Sequence, residues 1–397
     1  MRGRILVVDH RTPAPDRDSG SASTFSYLQI LSSAGFDVTF VPFDLTSAGR
    51  YTRAIKQLGI RTIARPFSGA HMRLSRWLAA RRGLWRLGFP MLERRARKTV
   101  VREAARADLV LLYRAPIALR LFDLVRAAAP RAKILFHAVD LHFLRLEREA
   151  KLSGDKEQAA EAAAMRALEL DLVTRADATI VVSEYERGLL RELVPAAAVH
   201  QIPILREAPR RPAAAPDLAS RRDIVFIGGF EHPPNGDAVH WFAREIWPLL
   251  RAKGFAGRFI VGGSEMPQSI AQLASGSIEV RGYVEALGPL FDACRLSVAP
   301  LRYGAGIKGK IVSSLSYGVP VVASSIAAEG TGLKHGETIL VADTPRDFAD
   351  EILRLSTDDD LWRRLSENGY RAFMKKFSLE AGAPKLLAVI DGLLASR

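Results

Sequence analysis

Short apolar runs alternate with longer stretches of helical spacing along most of the chain. Residues 5–9, 36–41, 108–113, 133–137 and 178–183 are brief apolar runs bounded by polar or glycine-containing segments. Runs of that length read as buried strands. Residues 59–63 and 199–202 are weaker candidates of the same kind. Between the runs, residues 21–34, 116–128 and 155–174 carry apolar positions at helical spacing, and Ser183-Glu184 opens a helix that reaches Leu193. Strand and helix in strict alternation predict a parallel sheet with helices on both faces.

The pattern then breaks and restarts. Residues 203–222 hold prolines at 203, 209, 212 and 216 among alanines and arginines, which reads as a linker. Strand-like runs resume at 223–227, 258–261, 277–280, 296–300 and 319–323, and another ends at Leu340. Residues 237–250, 345–355 and 358–377 read as helices, and the tail 378–397 as one more amphipathic segment. The expectation is an α/β chain of two Rossmann-like, doubly wound parallel-sheet domains, 1–205 and 206–377, facing a cleft. A length of 397 residues, too great for one ordinary core, agrees with that.

The stretch from Leu296 to Ser324 carries the most chemistry. A strand leads into Gly304-Ala305-Gly306, then into a helix over 308–317, which Gly318-Val319-Pro320 stops before the next strand. The first N–H groups of a helix are unpaired and carry partial positive charge, so such a turn suits a phosphate or diphosphate. Lys308 and Lys310 add full charges. Two positions along a helix is a rotation of about 200°, which turns Lys310 away from whatever Lys308 faces. Residues 304–309 also spell G-x-G-x-x-G, with Glu329 about twenty residues on. That dinucleotide fingerprint normally opens a domain, whereas strands of the same half precede it here, so nicotinamide binding is the lesser alternative.

Histidines and acids at strand ends supply further candidates. His137 ends a run, and Asp140 and His142 follow within five residues. A histidine facing a cleft donates to a ligand hydroxyl or takes a proton. The competing reading makes His137 a satisfied buried residue and Asp140 a helix cap. The spacing also suggests a metal, which is rejected because no further strong ligand group lies nearby. Asp18, Ser19 and Gly20 either cap the following helix or line the cleft.

Composition narrows the setting. The single cysteine, Cys294, excludes an internal disulfide and a cysteine-based zinc site. No apolar window is long enough to span a membrane, and the N-terminal run is too short for a signal peptide, so the expected compartment is the cytoplasm. The net charge of +14 calls for an anionic partner. Residues 71–102 hold ten arginines and lysines against Glu93 alone, interleaved with Trp77, Trp85 and leucines. That stretch reads equally as a helix lying on an anionic membrane surface, which would make the protein peripheral on the inner face, or as a solvated face of an ordinary helix. Nucleic acid is not expected, since no recognised motif accompanies the charge.

The words FIGGFEHPPNGDAVHWF, RGYV, APLRYGAGIKGKI and YGVPVVAS resemble the family 4 glycosyltransferases, the "glycosyl transferases group 1", over roughly residues 223–377. In the first half, ILFHAVDLHFLR and VVSEYE are similar to acceptor-half segments of bacterial polysaccharide transferases. The resemblance implies a GT-B fold and a retaining, metal-independent hexosyltransferase with no cofactor. It implies a nucleotide-diphosphate sugar donor in the C-terminal half and a saccharide or lipid-linked saccharide acceptor in the N-terminal half. The tail would pack back on the N-terminal half. Carried over to this chain, Gly228, Gly229, Phe230, Gly304, Gly306 and Lys308 would approach the donor phosphates, and Tyr283 the base. His137, Asp140 and Lys308 become the catalytic candidates, and Asp18, Ser19, Gly20 and His142 the acceptor contacts.

Two departures stand out. A pair of glutamates eight residues apart is usual in the family, and Ala305 and Ser313 occupy those places. A serine at the second still accepts a ribose hydroxyl, more weakly than a carboxylate. The usual Arg and Lys after the first glycine loop are replaced by Phe230 and the HPPN stretch. Those losses leave open a catalytically degenerate nucleotide-sugar-binding subunit, and the fold leaves open a GT-B sugar epimerase.

Overall fold

The computed structural model describes residues 2–64, 85–209 and 217–396, with backbone alone for 85–92. Residues 71–84 of the basic stretch and 210–216 of the linker therefore lie outside the described residues.

The apolar runs form two parallel sheets. The first contains β1 (Arg4–Asp9), β2 (Asp37–Pro42), β3 (Arg61–Thr62), β4 (Leu109–Tyr113), β5 (Lys133–His137), β6 (Ala178–Val181) and β7 (Val199–Gln201), in the order β3-β2-β1-β4-β5-β6-β7. The second contains β8 (Asp223–Ile227), β9 (Phe259–Gly262), β10 (Ile278–Gly282), β11 (Cys294–Ala299), β12 (Val321–Ala323) and β13 (Leu340–Val341), in the order β10-β9-β8-β11-β12-β13. Helices cover both faces, so the central strands are buried on both sides and lack polar alternation. In β1, Ile5, Leu6, Val7 and Val8 are all buried, with Leu6 opposite Thr39 and Val110.

Each sheet reverses its winding once, between β1 and β4 and between β8 and β11. At such a switch point the neighbouring connections leave to opposite faces, which opens a crevice at the C-terminal strand ends. Those two crevices face one another. This is the GT-B arrangement of two Rossmann-like units about a central cleft.

The chain crosses between the sheets near Arg206 and returns near Ser378, where the two segments bridge in parallel. The Ser378 hydroxyl caps the helix Leu379–Ala395 by accepting from the Ala381 N–H. Leu386 and Ile390 of that helix join Ile5, Val7, Tyr27 and Leu205 in the core of the first half. Residues 237–250 are less regular than their spacing suggests. A helix over Pro233–Trp241 widens into a π-turn, Phe242–Ile246, before Trp247–Ala252. Pro248 has no N–H to offer the preceding turn, so the ladder slips there.

The basic stretch continues into the helix Trp85–Ala104. Its Ala96, Val100 and Ala104 are packed into the first half's core, and Arg97 pairs with Glu93 one turn back at 2.7 Å. No helix among the described residues is long and apolar enough to cross a membrane.

Candidate functional site

The cleft encloses a cavity of about 350 Å³ lined from both halves. That is the size of a small-ligand site. Gly228 and Gly229 enter it from the end of β8, Ser264 and Tyr283 from beyond β9 and β10, and Ala305 and Ile307 to Lys310 from beyond β11. Asp18 to Gly20, Arg114, Val139 and Asp140 enter from the first half.

On the C-terminal side, glycine is required by close packing. A Cβ on Gly228 would lie 2.9 Å from the Asn235 side chain, and one on Gly229 would lie 3.2 Å from the Arg17 carbonyl of the other half. Asn235 Nδ2 donates to the Gly229 carbonyl at 2.7 Å, and its Oδ1 accepts from Lys310 Nζ at 2.8 Å. Lys310 also lies over the Phe226 ring, 5.0 Å from the centroid. Lys308 holds the N-cap position of the helix Gly309–Ser316 with extended backbone, φ −82° and ψ 104°. Its Nζ donates to the carbonyls of Ala305 and Gly306, each at 2.7 Å. Both lysines thus line the cleft, and the expectation that Lys310 turns away fails. The helical rotation starts after Lys308, so it does not separate the pair.

Burial pushes both amines down. Lys308 falls to about 8, with Glu186 and Asp140 opposing the fall, and Lys310 falls to about 7, with Lys308 adding to it. Among the described residues, no carboxylate pairs with Lys310 to hold its charge. Ser313 lines the cleft one turn into the same helix.

The first half contributes an ion-pair network at its switch point. Arg114 Nε donates to Asp9 Oδ1 at 2.9 Å, and Thr24 and His10 also engage Asp9. Burial raises the Asp9 pKa, but Arg114 and His10 outweigh it and hold the carboxyl well below the usual range. Gly20 makes room for this arginine, since a Cβ there would meet Arg114 Nη2 at 2.5 Å. Asp18 is the N-cap of the helix Ser19–Ser33, accepting from the Ser21 N–H at 2.7 Å, and it also lines the cleft. Both sequence readings of Asp18 therefore hold together.

Two cleft residues sit in the left-handed region without being glycine: Arg114 at φ 68° and Val139 at φ 67°. A β-branched residue there is strained, and such strain persists where surrounding structure fixes it. His137 shows what fixes Val139. Its Nδ1 accepts the Val139 N–H at 3.0 Å, and its ring stacks on Tyr113 with centroids 4.7 Å apart. Tyr27 closes the other side edge-on at 5.1 Å.

His137 is fully buried, does not line the cleft, and is pushed down to about 3 by burial and then by Arg114. The expectation that it contacts substrate is corrected. As the last residue of β5 its side chain turns under the sheet's helix layer, and a neutral ring supports the turn that carries Asp140.

Asp140 does reach the cleft. Burial raises its pKa, but His142, Arg145 and His232 prevail and keep it ionised. Its neighbour His142 opens the helix His142–Ser153, with Nε2 3.6 Å from Asp140 Oδ1, and does not line the cleft. His142 therefore acts on Asp140, and the expectation that it lines the cleft is corrected.

Three more expected donor contacts are placed elsewhere. Phe230 packs on the core beside Phe226, with centroids 6.4 Å apart. Gly304, at φ 146°, offers its carbonyl to Arg148 of the first half at 2.7 Å. Gly306, at φ 66°, abuts Asp140 and the Val139 carbonyl. Neither glycine lines the cleft. Both are glycine because the loop must turn through positive φ against the opposite half. Tyr283 does line it, and its hydroxyl donates to Asp16 across the gap at 2.5 Å. Arg206 also lines the cleft, as do Asn235 and Arg114, and none of these three was a sequence candidate. Arg114 stands at a strand end, a signal that was available. Among the described residues, no cluster of three or more His, Cys, Asp or Glu is placed to hold a metal.

Comparison with known proteins agrees with this geometry. Residues 21–204 match the model of a glycosyl transferase 4-like domain, and residues 221–358 that of the glycosyl transferases group 1. An uncharacterised 44.6 kDa protein in the cps region of Klebsiella pneumoniae is 22% identical over 164 residues, which span 39% of this chain and 42% of that relative. Sucrose-phosphate synthase from Thermosynechococcus elongatus superposes with a TM-score of 0.74 at 17% identity, covering 99% of this chain and 100% of the other. Anabaena HepE, solved in complex with UDP-glucose, gives 0.69 at 15% identity, covering 98% and 100%. With both halves matched by consecutive family models and joined in a GT-B fold, the chain belongs to the group 1 glycosyltransferases.

Proposed function

We propose that this transferase moves a sugar from a nucleoside-diphosphate donor to a saccharide or lipid-linked saccharide, with retention and without a bound metal. Residues 206–377 hold the donor in this reading, and residues 1–205 with the tail 378–397 hold the acceptor. The observation that carries it is the pair of cleft lysines, Lys308 buried and Lys310 half-buried, at the N-terminus of Gly309–Ser316. Solved relatives lend support: HepE binds UDP-glucose, and S. aureus TarM was solved with UDP and a glycosyl glycerol.

In this reading the bond from the sugar C1 to the β-phosphate oxygen breaks, and a bond from an acceptor oxygen to C1 forms on the same face. The acceptor's proton passes to the departing phosphate oxygen. The lysines and helix amides stabilise the charge that grows on that phosphate, which is the place a metal would otherwise serve. Asp140 projects an ionised carboxylate from the opposite wall, beside Gly306 and one residue from Ala305. It offsets the positive charge developing on the sugar ring. Ala305 and Ser313, in place of the glutamates, favour the second reading of a degenerate donor-binding subunit.

Incubating purified protein with a panel of nucleotide sugars, with and without EDTA, tests this, with the product anomer read by NMR. Donor binding with neither hydrolysis nor transfer would favour the degenerate reading. A pH dependence is also expected. A diphosphate stabilises charged lysines, so binding takes up protons wherever the free amines have lost them. As pH rises through about 7 and then about 8, Lys310 and Lys308 discharge. Affinity for the diphosphate should then weaken by up to about tenfold per pH unit for each lysine that must recharge. Calorimetry between pH 7 and 9 reads this, and a flat dissociation constant would place the phosphates away from both amines.

A cytoplasmic, peripheral location belongs to the same proposal. It rests on the charge of residues 71–102, each basic group near anionic lipid contributing about 1 kcal/mol. Flotation with anionic vesicles at low salt should carry the protein upward, and protein left at the bottom removes that part.

A further inference from the structure

Arg206 belongs to neither sheet. Its N–H donates to the Phe377 carbonyl at 2.8 Å, and its carbonyl accepts from the Leu379 N–H at 3.1 Å. It therefore sits where the outgoing and returning segments run side by side, which is the hinge between the halves. Its side chain points away from that seam into the cleft. Nη2 donates to Ser19 Oγ of the first half at 3.3 Å. The same nitrogen is 3.1 Å from the place a Cβ on Gly309 would occupy, so it stands beside the N-terminus of Gly309–Ser316.

No carboxylate among the described residues pairs with this charge. Burial prevails over the attraction of Asp18, which forms no ion pair with it, so the guanidinium is held below its ordinary pKa. Arg206 Nε is sealed from solvent and has no hydrogen-bond partner, and among the described residues no ion pair involves the guanidinium. An arginine in such surroundings normally meets a carboxylate, as Arg295 meets Asp359 at 2.6 Å in this same chain. Taking a cation out of water without a counter-charge is unfavourable, and a fold sustains it where a ligand brings the missing anion. The planar guanidinium is suited to two phosphate oxygens at once. Lys310, likewise without a carboxylate, lies on the same helix terminus.

We infer that Arg206 is a donor-binding residue carried by the hinge, closing its guanidinium on the diphosphate opposite Lys310. The inference rests on the nucleoside-diphosphate reading above. Such a residue touches the ligand only when both halves are in place, because Ser19 from one half and Gly309 from the other flank it.

Arg206→Gln tests it, with UDP, ADP and GDP, their monophosphates and inorganic pyrophosphate as calorimetric probes. For the diphosphate that the wild type binds, affinity should fall about 10- to 100-fold, the scale of one charge-assisted hydrogen bond. The matching monophosphate should bind nearly as before. The ligand-free variant should melt no lower than the wild type, since a desolvated charge with no ion-pair partner among the described residues has been removed. Unchanged diphosphate affinity, an equal loss for monophosphate and diphosphate, or a ligand-free variant that melts well below the wild type or does not fold would each overturn the inference, the last by showing a structural role. Wild-type protein that binds none of these probes would overturn the diphosphate reading itself.

Discussion

Lys310→Ala should lower turnover about 10²- to 10³-fold with a smaller effect on the ligand-free stability, since the one acceptor it leaves unpaired, Asn235 Oδ1, is offset by removal of a desolvated charge. The scale is that of removing one preorganised donor from a charge-developing transition state. Lys310 is well placed for that part. Its side chain is half-buried, its amine donates to Asn235 Oδ1 at 2.8 Å, and among the described residues no carboxylate neutralises it. Its charge is therefore directed at whatever anion enters. That anion gains charge as the glycosidic bond breaks, and contacts that strengthen towards the transition state raise the catalytic constant. Lys308→Ala should differ in kind. Its ammonium satisfies two carbonyls of its own loop and is attracted by Glu186 and Asp140. Truncation leaves those carbonyls unpaired at about 1–3 kcal/mol each, so stability and activity should fall together. Melting curves and steady-state kinetics on both variants separate the two. Normal turnover by Lys310→Ala would remove it from the reaction.

The order of elements was legible because burial imposes it. A parallel strand covered on both faces has little room for polar residues, so β1, β4 and β11 stand out as apolar runs, and the linker stands out by its prolines. What escaped notice depends on partners distant in sequence. The helix His142–Ser153 begins after Leu141 with no capping side chain of its own. Glu169, some twenty-six positions later, accepts its first N–H groups from His142 and Phe143. Burial pushes that carboxyl up to about 8, which makes its role still harder to read from the chain. The glycines at 304 and 306 show the same limit. A glycine announces close approach but not what approaches. Here it is Arg148 and Asp140 of the opposite half. Sequence period likewise places His137 at a strand end without saying on which face. The stack with Tyr113 and the edge contact with Tyr27 settle it on the buried side. Arg206 carried no signal at all, being one arginine in a basic, proline-rich segment.

Gly309→Ala is the substitution expected to separate donor binding from catalysis. Gly309 is the first residue of its helix and needs no positive φ, so alanine is acceptable to the backbone. The obstacle lies across the cleft. A Cβ at this position would fall 1.8 Å from Ser19 Oγ and 2.5 Å from Ser19 Cβ. Ser19 opens the helix Ser19–Ser33 and is held there by the Asp18 cap and by Arg206. The two halves can then meet only by standing further apart, which moves the acceptor wall away from the donor wall. Displacement of reacting groups by about 1 Å costs about a hundredfold in rate. Turnover should therefore drop by about that factor, whereas the C-terminal half, unaltered in its lysines and in Gly228-Gly229, should still take up nucleoside diphosphate, weakened at most by the loss of the Arg206 contact that needs both halves in place. The clash also specifies its own remedy. Ser19→Gly removes both offending atoms, so the double variant should recover most of the lost turnover, and the two changes should be strongly non-additive. If Ser19→Gly restores nothing, the steric account of closure fails. If Gly309→Ala alone is fully active, the halves react without meeting at this point.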